Sequence, residues 1–240
     1  VKIRSFALVP LAFALSTGAF AQSAGSNLIQ FGWIHLAPQD SSDPLKIQGN
    51  TIPDTGASVD SPDTAGIAIT HFFTDHIAVE SVAGFPPRFN LSGTGVLATP
   101  GINPLASARQ WSPALLMKYY FGNAESKLRP SLGAGVSYIW FNHVQVNPAF
   151  QRSLSGLITS GATTAAPSSA TVDSTWAPVF EAGLTYNFDR HWSVAASVSY
   201  LPFSTKAHVT TTLPTGTQVH SESKLSINPI VTFLAVGYRF

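Results

Sequence analysis

Residues able to do chemistry are few in this chain, and they are scattered. The seven histidines are His35, His71, His76, His143, His191, His208 and His220, and none stands in a nucleophile elbow (Gly-x-Ser-x-Gly) or an HExxH pair. Some small barrels use Ser, His and Asp groups for acyl transfer or lipid hydrolysis, but no such set is assembled here. His76 and His191 fall at turns, where placement at an interface is the ordinary reading. The chain has no Cys, which excludes disulfide frameworks and Cys-based zinc sites. No catalytic residue, metal site or cofactor is therefore expected. What remains are four single charges inside otherwise apolar or small-residue segments: Glu80, Lys118, Glu181 and Arg239. A charge in apolar surroundings is costly unless paired. The chemistry they suggest is ion pairing, with Glu80 facing Lys118, and the question becomes what holds them.

Charged residues make up only 10% of the 240, against roughly 25% in a soluble domain. The 13 Lys and Arg nearly balance the 12 Asp and Glu, so nothing suggests a nucleic-acid partner. Lys2 and Arg4 precede the apolar run Phe6 to Leu15, and Ala19-Phe20-Ala21 follows as a small-x-small site. Residues 1–21 are expected to be a cleaved secretory signal, with 22–240 as the exported domain. No stretch of about 18 apolar residues exists, so any membrane insertion must be as β-structure.

Period-two alternation supports that reading. The ending, Ser226 to Phe240, places Ile230, Thr232, Leu234, Val236, Tyr238 and Phe240 on one face. Its length suits a tilted membrane strand of roughly nine to eleven residues. Seven further strands are expected: Asn27 to Ala37, Thr64 to Phe73, Ile77 to Phe85, Arg109 to Tyr120, Pro130 to Asn142, Thr175 to Phe188 and His191 to about Thr212, with the eighth running from Ser221 to Phe240. Residues 38–63, 86–108 and 143–174 are expected to be long loops, the last with a short helix capped by Asn147-Pro148 and carrying Phe150, Leu154, Leu157 and Ile158 on one face.

Short connections alternate with longer ones, and the strand count is even. Aromatics gather at strand ends: Trp111, Trp140, Trp176 and Tyr200 toward the loops, Tyr119, Phe121, Tyr186, Phe188, Trp192 and Tyr238 toward the turns. Two interfacial girdles explain this placement. A lipocalin also has eight strands, but its bulky apolar residues point inward. Here they alternate with Gly, Ser, Ala and single charges. The fold class is all-β: an eight-stranded antiparallel transmembrane barrel with short periplasmic turns and longer extracellular loops, in the outer membrane of a Gram-negative bacterium.

Several runs then carry a resemblance. Thr74-Asp-His-Ile-Ala-Val-Glu80, Tyr120-Phe-Gly122, Leu128-Arg-Pro130, Gly133-Ala-Gly135 and the ending Gly237-Tyr-Arg-Phe240 resemble, in order and spacing, the OmpW family of small outer-membrane proteins. The resemblance implies a narrow, largely hydrophobic lumen and passage of small hydrophobic compounds. Some members of that family serve as phage or bacteriocin receptors.

An eight-stranded barrel is about filled by its own side chains, so passage needs small inward residues. Gly and Ser rows such as Gly133, Gly135 and Ser137 supply them. The larger expected lining residues are Phe72, Val82, Leu116, Ile139, Phe141, Leu201, Phe203, Val231 and Phe233. An apolar tube suits hydrophobic solutes and disfavours ions and sugars. Pro113, Pro178 and Pro229 lie near the outer ends of descending strands, and each lacks a ladder N–H. They are candidates for a lateral opening into the outer leaflet, against the alternative of a bulge at the rim. The competing function is a structural or receptor barrel with a plugged lumen and working loops. Expected partners are outer-membrane lipid, small hydrophobic solutes, and the barrel-assembly machinery through the closing strand that ends in Phe240.

Overall fold

The computed structural model describes residues 23–159, 167–213 and 215–240. The expected signal, residues 1–21, lies outside the described residues. In chain order the strands are β1 (Asn27–Ala37), β2 (Ser41–Ser42), β3 (Lys46–Ile47), β4 (Asn50–Thr51), β5 (Thr55–Val59), β6 (Asp63–Phe72), β7 (Ile77–Gly84), β8 (Arg88–Gly95), β9 (Ala106–Trp111), β10 (Ala114–Tyr120) and β11 (Leu128–Val146). Helix α1 (Pro148–Thr159) follows, and then β12 (Ser168–Val172), β13 (Thr175–Asn187), β14 (Trp192–Tyr200), β15 (Ser204–Thr212), β16 (Gln218–Ser226) and β17 (Ile230–Arg239). No described helix is long and apolar enough to cross a membrane.

Eight of these strands form a ring, in the order β10, β7, β6, β1, β17, β14, β13, β11, and β11 pairs back with β10. All the pairings are antiparallel. The first and last strands meet at the β1–β17 ladder, which runs unbroken from Leu28–Arg239 to Ala37–Ile230. Closure leaves no free sheet edge around the ring.

The alternation sets the two faces. Phe31, Trp33, Leu115, Met117, Leu132, Phe180, Leu234 and Val236 are exposed on the outer surface. On the inner face Leu116, Ala68, Ile139, Phe233 and Ala235 are buried. Aromatics band the outside at two levels. At the outer level the Trp111 and Trp140 rings stack at 5.8 Å, and Tyr138 packs on Trp176 at 4.9 Å. At the periplasmic level the pairs are Tyr119–Phe121, Tyr186–Phe188 and Trp192–Tyr238.

Two glycines show why the inner rows must be small. A Cβ at Gly32 would lie 2.0 Å from Leu234 O, and one at Gly135 would lie 2.0 Å from Leu115 O. Strong coiling brings the neighbouring backbone over these positions, and a side chain has no space there.

Above the barrel the structure differs from the sequence expectation. Residues 38–63 and 86–108, read as loops, hold β2 to β5, β8 and the start of β9. They build two raised sheets, one in the order β11-β9-β8-β5 and one in the order β12-β15-β16-β3-β4 with β2 on β16. Three long strands are also divided. Ser112-Pro113 separates β9 from β10, Leu201-Pro202-Phe203 separates β14 from β15, and Ile227-Asn228-Pro229 separates β16 from β17. These pairings have no lipid-facing stripe, so their Ser-, Thr- and Gly-rich sequence reads as loop although the ladder is made. Helix α1 begins as expected: Asn147 Oδ1 accepts from Ala149 N at 2.8 Å, and Pro148 opens the first turn. Phe150 packs with Leu97, Ile102 and Leu105. The side chains of Leu154, Leu157 and Ile158 lie outside the described residues.

Candidate functional site: two apolar chambers above an ionic floor

The periplasmic half of the bore is filled. Lys118 of β10 sits between two carboxylates, with Nζ 3.0 Å from Glu80 Oε2 and 2.6 Å from Glu181 Oε1. Glu80 lies on the adjacent strand β7, where it faces Leu116, one inward position from Lys118. Glu181 lies two strands away on β13, and the residue between them on β11 is Gly133, which pairs with Lys118 on one side and Glu181 on the other. The absent side chain at Gly133 clears the path; a Cβ there would come to 3.0 Å from Lys118 Cγ. Thr70 Oγ1 donates to Glu80 at 2.8 Å, and Ser199 Oγ donates to Glu181 at 3.1 Å. All three charged side chains are at most 6% exposed.

Below this triad Tyr120 packs between charges, with Lys118 Nζ 5.6 Å and Arg129 Cζ 5.3 Å from its ring. Arg129 is fully buried and donates to the carbonyls of Asp75 and Phe121, in two different periplasmic turns. Arg239 does the same for the third turn, donating to Arg190 O at 3.1 Å and to Asn187 Oδ1 at 3.0 Å. Phe72, Leu28 and Ala78 fill the remainder with Tyr120. Glu80, Lys118 and Glu181 thus share one site, while Arg239 belongs to the turn below. Tyr120 and Arg129 are not evident as site residues from the sequence. Gly133, alternating with bulky neighbours between two charged strands, is the signal that could have linked Glu181 to Lys118.

Above the floor lie two apolar chambers. The inner one, of about 760 Å³ including its opening, is bordered by Ile34, Val82, Leu116, Val179, Leu201 and Phe233 among others. Its bottom touches Glu181 and Ser199. The outer one, of about 1070 Å³ including its mouth, lies within the raised sheets. Phe89, Leu91, Phe141, Leu225 and Ile227 border it, and Leu97, Leu105 and Phe150 form its roof. Asp43 is its one charged lining residue among the described residues. Of the residues expected to line the lumen, Val82, Leu116, Leu201, Val231 and Phe233 border the inner chamber and Phe141 the outer. Ile139 and Phe203 are buried in the wall cluster between the chambers, and Phe72 is part of the filled base.

The wall beside the inner chamber contains a lapse. The β7–β10 ladder ends at Val82–Ala114, and the next bond across that seam is Gln110 N to Pro87 O at 3.2 Å. In register between them stand Gly84 and Ser112, which share no hydrogen bond, and Pro87 has no N–H to return. Gly84, Phe85, Pro87 and Ser112 all border the inner chamber. Pro113 lies beside this lapse and not in it. Its carbonyl accepts from Tyr138 N of β11 at 3.2 Å, so its missing N–H falls on that same β11 edge, away from the lapse.

The other two prolines differ from each other. The β13–β14 ladder ends at Phe180–Tyr200. Continued in register, the next hydrogen-bonding pair would be Pro178 and Pro202, neither with a donor. Bonding resumes at Asp173 N to Lys206 O, 3.0 Å. Pro229, in contrast, is stitched in place: Leu201 N donates to its carbonyl at 3.2 Å, and Asn228 Oδ1 accepts from Phe203 N at 3.0 Å. Asn228 adopts φ +39° to make this bulge.

Comparisons with known proteins agree with this architecture. The chain is 30% identical over 233 residues to outer membrane protein W of Vibrio cholerae, covering 97% of each. It is 24% identical over 239 residues, 99% of each chain, to a dibenzothiophene metabolism operon protein, PahQ, of Pseudomonas aeruginosa. The crystal structure of the outer membrane protein OprG from Pseudomonas aeruginosa matches with a TM-score of 0.78 at 27% identity, over 92% of this chain and 99% of that one. The OmpW family model matches residues 23–240. The closed eight-stranded barrel and these matches together make the chain an outer-membrane protein of the OmpW family.

Proposed function

We propose that this protein carries small hydrophobic molecules from outside the cell into the outer leaflet of the outer membrane. The route enters the outer chamber, passes to the inner one and leaves sideways through the β7–β10 seam. The observation that carries this reading is the unbonded Gly84–Ser112 position, with both residues bordering the inner chamber. Unpaired backbone groups in a membrane wall carry a desolvation cost unless something else compensates, and a solute in transit is what this reading supplies. The floor supports the same reading. An apolar solute moving straight down would have to part a buried ion triad and then Tyr120 and Arg129, which favours a lateral exit over an axial one. Apolar chambers accept hydrophobic solutes and offer ions no replacement for their hydration. The relative named for a dibenzothiophene metabolism operon fits a solute of that polarity. Assembly machinery would engage the closing strand β17, which ends beside Phe240.

The test uses vesicles with lipopolysaccharide in the outer leaflet and phospholipid in the inner, and a fluorescent aromatic hydrocarbon as solute. Gly84→Phe fills the seam from one edge. A Cβ there meets only ordinary contacts, 3.5 Å from Ile34 Cδ1 and Thr64 Cγ2, so the strand accommodates it. Entry accelerated by the wild type should fall several-fold in Gly84→Phe. Unchanged entry in that variant, with faster entry when Lys118 is truncated, would point to an axial path instead.

A further inference from the structure

One residue borders both chambers: among the described residues, Gln110 alone lines the outer and the inner one. It is the polar member of an apolar throat. Phe89 packs with Ile34, Leu36 and Phe233 on one side. Phe203, Ile139 and Ile227 cluster on the other, with Phe141 against them. Gln110 faces Phe141 across the β9–β11 ladder. It is 4% exposed, and its side-chain amide makes no hydrogen bond with any described residue. Its backbone N–H is the bond that closes the top of the β7–β10 seam, so the amide stands where a solute would turn toward the exit.

A second group points the same way. Ser221 of β16 lines the outer chamber, is 2% exposed, and its Oγ has no hydrogen-bond partner among the described residues. Buried polar groups are normally satisfied, so an amide and a hydroxyl without a protein partner, on residues that line largely apolar chambers, are exceptions that need a reason. Sites with unpaired buried donors and acceptors favour ligands that pair them over ligands that do not. Charge narrows the class. Among the described lining residues Asp43 is the charged group of the outer chamber and Glu181, already paired with Lys118, that of the inner, so a carboxylate solute finds no unpaired cation on either lining. A cation would lose its hydration among Phe and Leu.

Resting on the conduit reading above, we infer that Gln110 is a specificity-determining residue, and that the protein prefers neutral, largely apolar molecules bearing one oxygen function over the bare hydrocarbons. Alcohols, phenols and ketones are the class. The amide can donate to a carbonyl or accept from a hydroxyl, and Ser221 offers the same choice higher in the outer chamber.

The experiment compares naphthalene with 1-naphthol, two fluorescent solutes of one shape, in the lipopolysaccharide-faced vesicles. Entry rates are measured for wild type, Gln110→Leu and Ser221→Ala, each checked for folding by heat-modifiable gel mobility. Wild type should accelerate 1-naphthol more than naphthalene, by about tenfold for one well-made hydrogen bond. Gln110→Leu should bring the ratio near one while still accelerating naphthalene. Ser221→Ala should lower the ratio by a smaller factor. An unchanged ratio in Gln110→Leu would overturn the selectivity and leave the conduit standing. Acceleration of neither solute by wild type would overturn both together.

Discussion

Replacing Lys118 by Met removes the one cation held between Glu80 and Glu181 while nearly keeping the side-chain volume. Its ammonium lies 3.0 Å from one carboxylate and 2.6 Å from the other, and all three side chains are almost out of solvent. Breaking a buried pair by removing one partner costs about 3–5 kcal/mol, because the remaining charge stays desolvated. Here two carboxylates are left, so the upper part of that range applies, equivalent to about three powers of ten in the folding equilibrium. Thr70 and Ser199 each still donate one bond, which limits the destabilisation. The measurement is urea unfolding in phospholipid vesicles followed by tryptophan fluorescence. A companion variant, Glu80→Gln with Lys118→Met and Glu181→Gln, removes all three charges and should recover most of the stability, since an uncharged replacement of a buried ionic group is often near neutral. Lys118→Met within about 1 kcal/mol of wild type would refute the triad as a buried, mutually dependent unit. So would a triple variant as unstable as the single one.

Further expectations concern the base and the wall. Arg129→Ala removes a fully buried guanidinium that binds carbonyls in two turns, and should cost about 3 kcal/mol at charged-bond strengths and speed hydrogen exchange in residues 73–76 and 121–127. Exchange unchanged in both turns would contradict the stapling role. Gly135→Ala should prevent assembly or separate β10 from β11, because its Cβ would fall on Leu115 O; a variant of normal gel mobility and stability would show the wall to be looser than described. In the periplasmic turn before β14, the N–H groups of Trp192 and His191 donate to Asp189 at 2.8 Å and 2.7 Å and hold its carboxyl below the usual range. A depressed folded-state pKa means that its stabilisation is present above the unfolded value of about 4 and is lost as pH falls through the lower folded one. Asp189→Asn should therefore weaken the turn at neutral pH and converge with wild type in acid. An NMR titration placing the Asp189 carboxyl at or above about 4 would contradict this.

The membrane part of the fold is legible because lipid imposes a pattern. Phe31, Leu115, Leu132 and Leu234 must face hydrocarbon, and every second residue therefore announces its face. The raised sheets face water on one side, so β5, β8, β15 and β16 carry no such stripe, and their Ser, Thr and Gly content looks like loop. The inward charges were also legible, since a lone Glu or Lys in an alternating strand has only the bore to occupy. Their grouping was not. Glu181 meets Lys118 across an intervening strand, and only the register that puts Gly133 between them reveals it. Prolines were visible, but which edge of a strand loses its donor depends on register parity. That is why the lapse lies at Gly84 and Ser112, one position from Pro113.

At 19 residues, β11 is far longer than the bilayer requires. At about 3.3 Å per residue and a tilt near 40° it climbs about 48 Å, against an apolar band of about 25 Å. The surplus is a chimney standing in the carbohydrate coat of the outer leaflet. On the route proposed above, a water-poor molecule entering at its top would cross the sugar zone inside protein and would meet lipid at the level of the β7–β10 seam. The chain thus devotes much of its length to height, which the proposed route would use to carry a solute past the layer that excludes it.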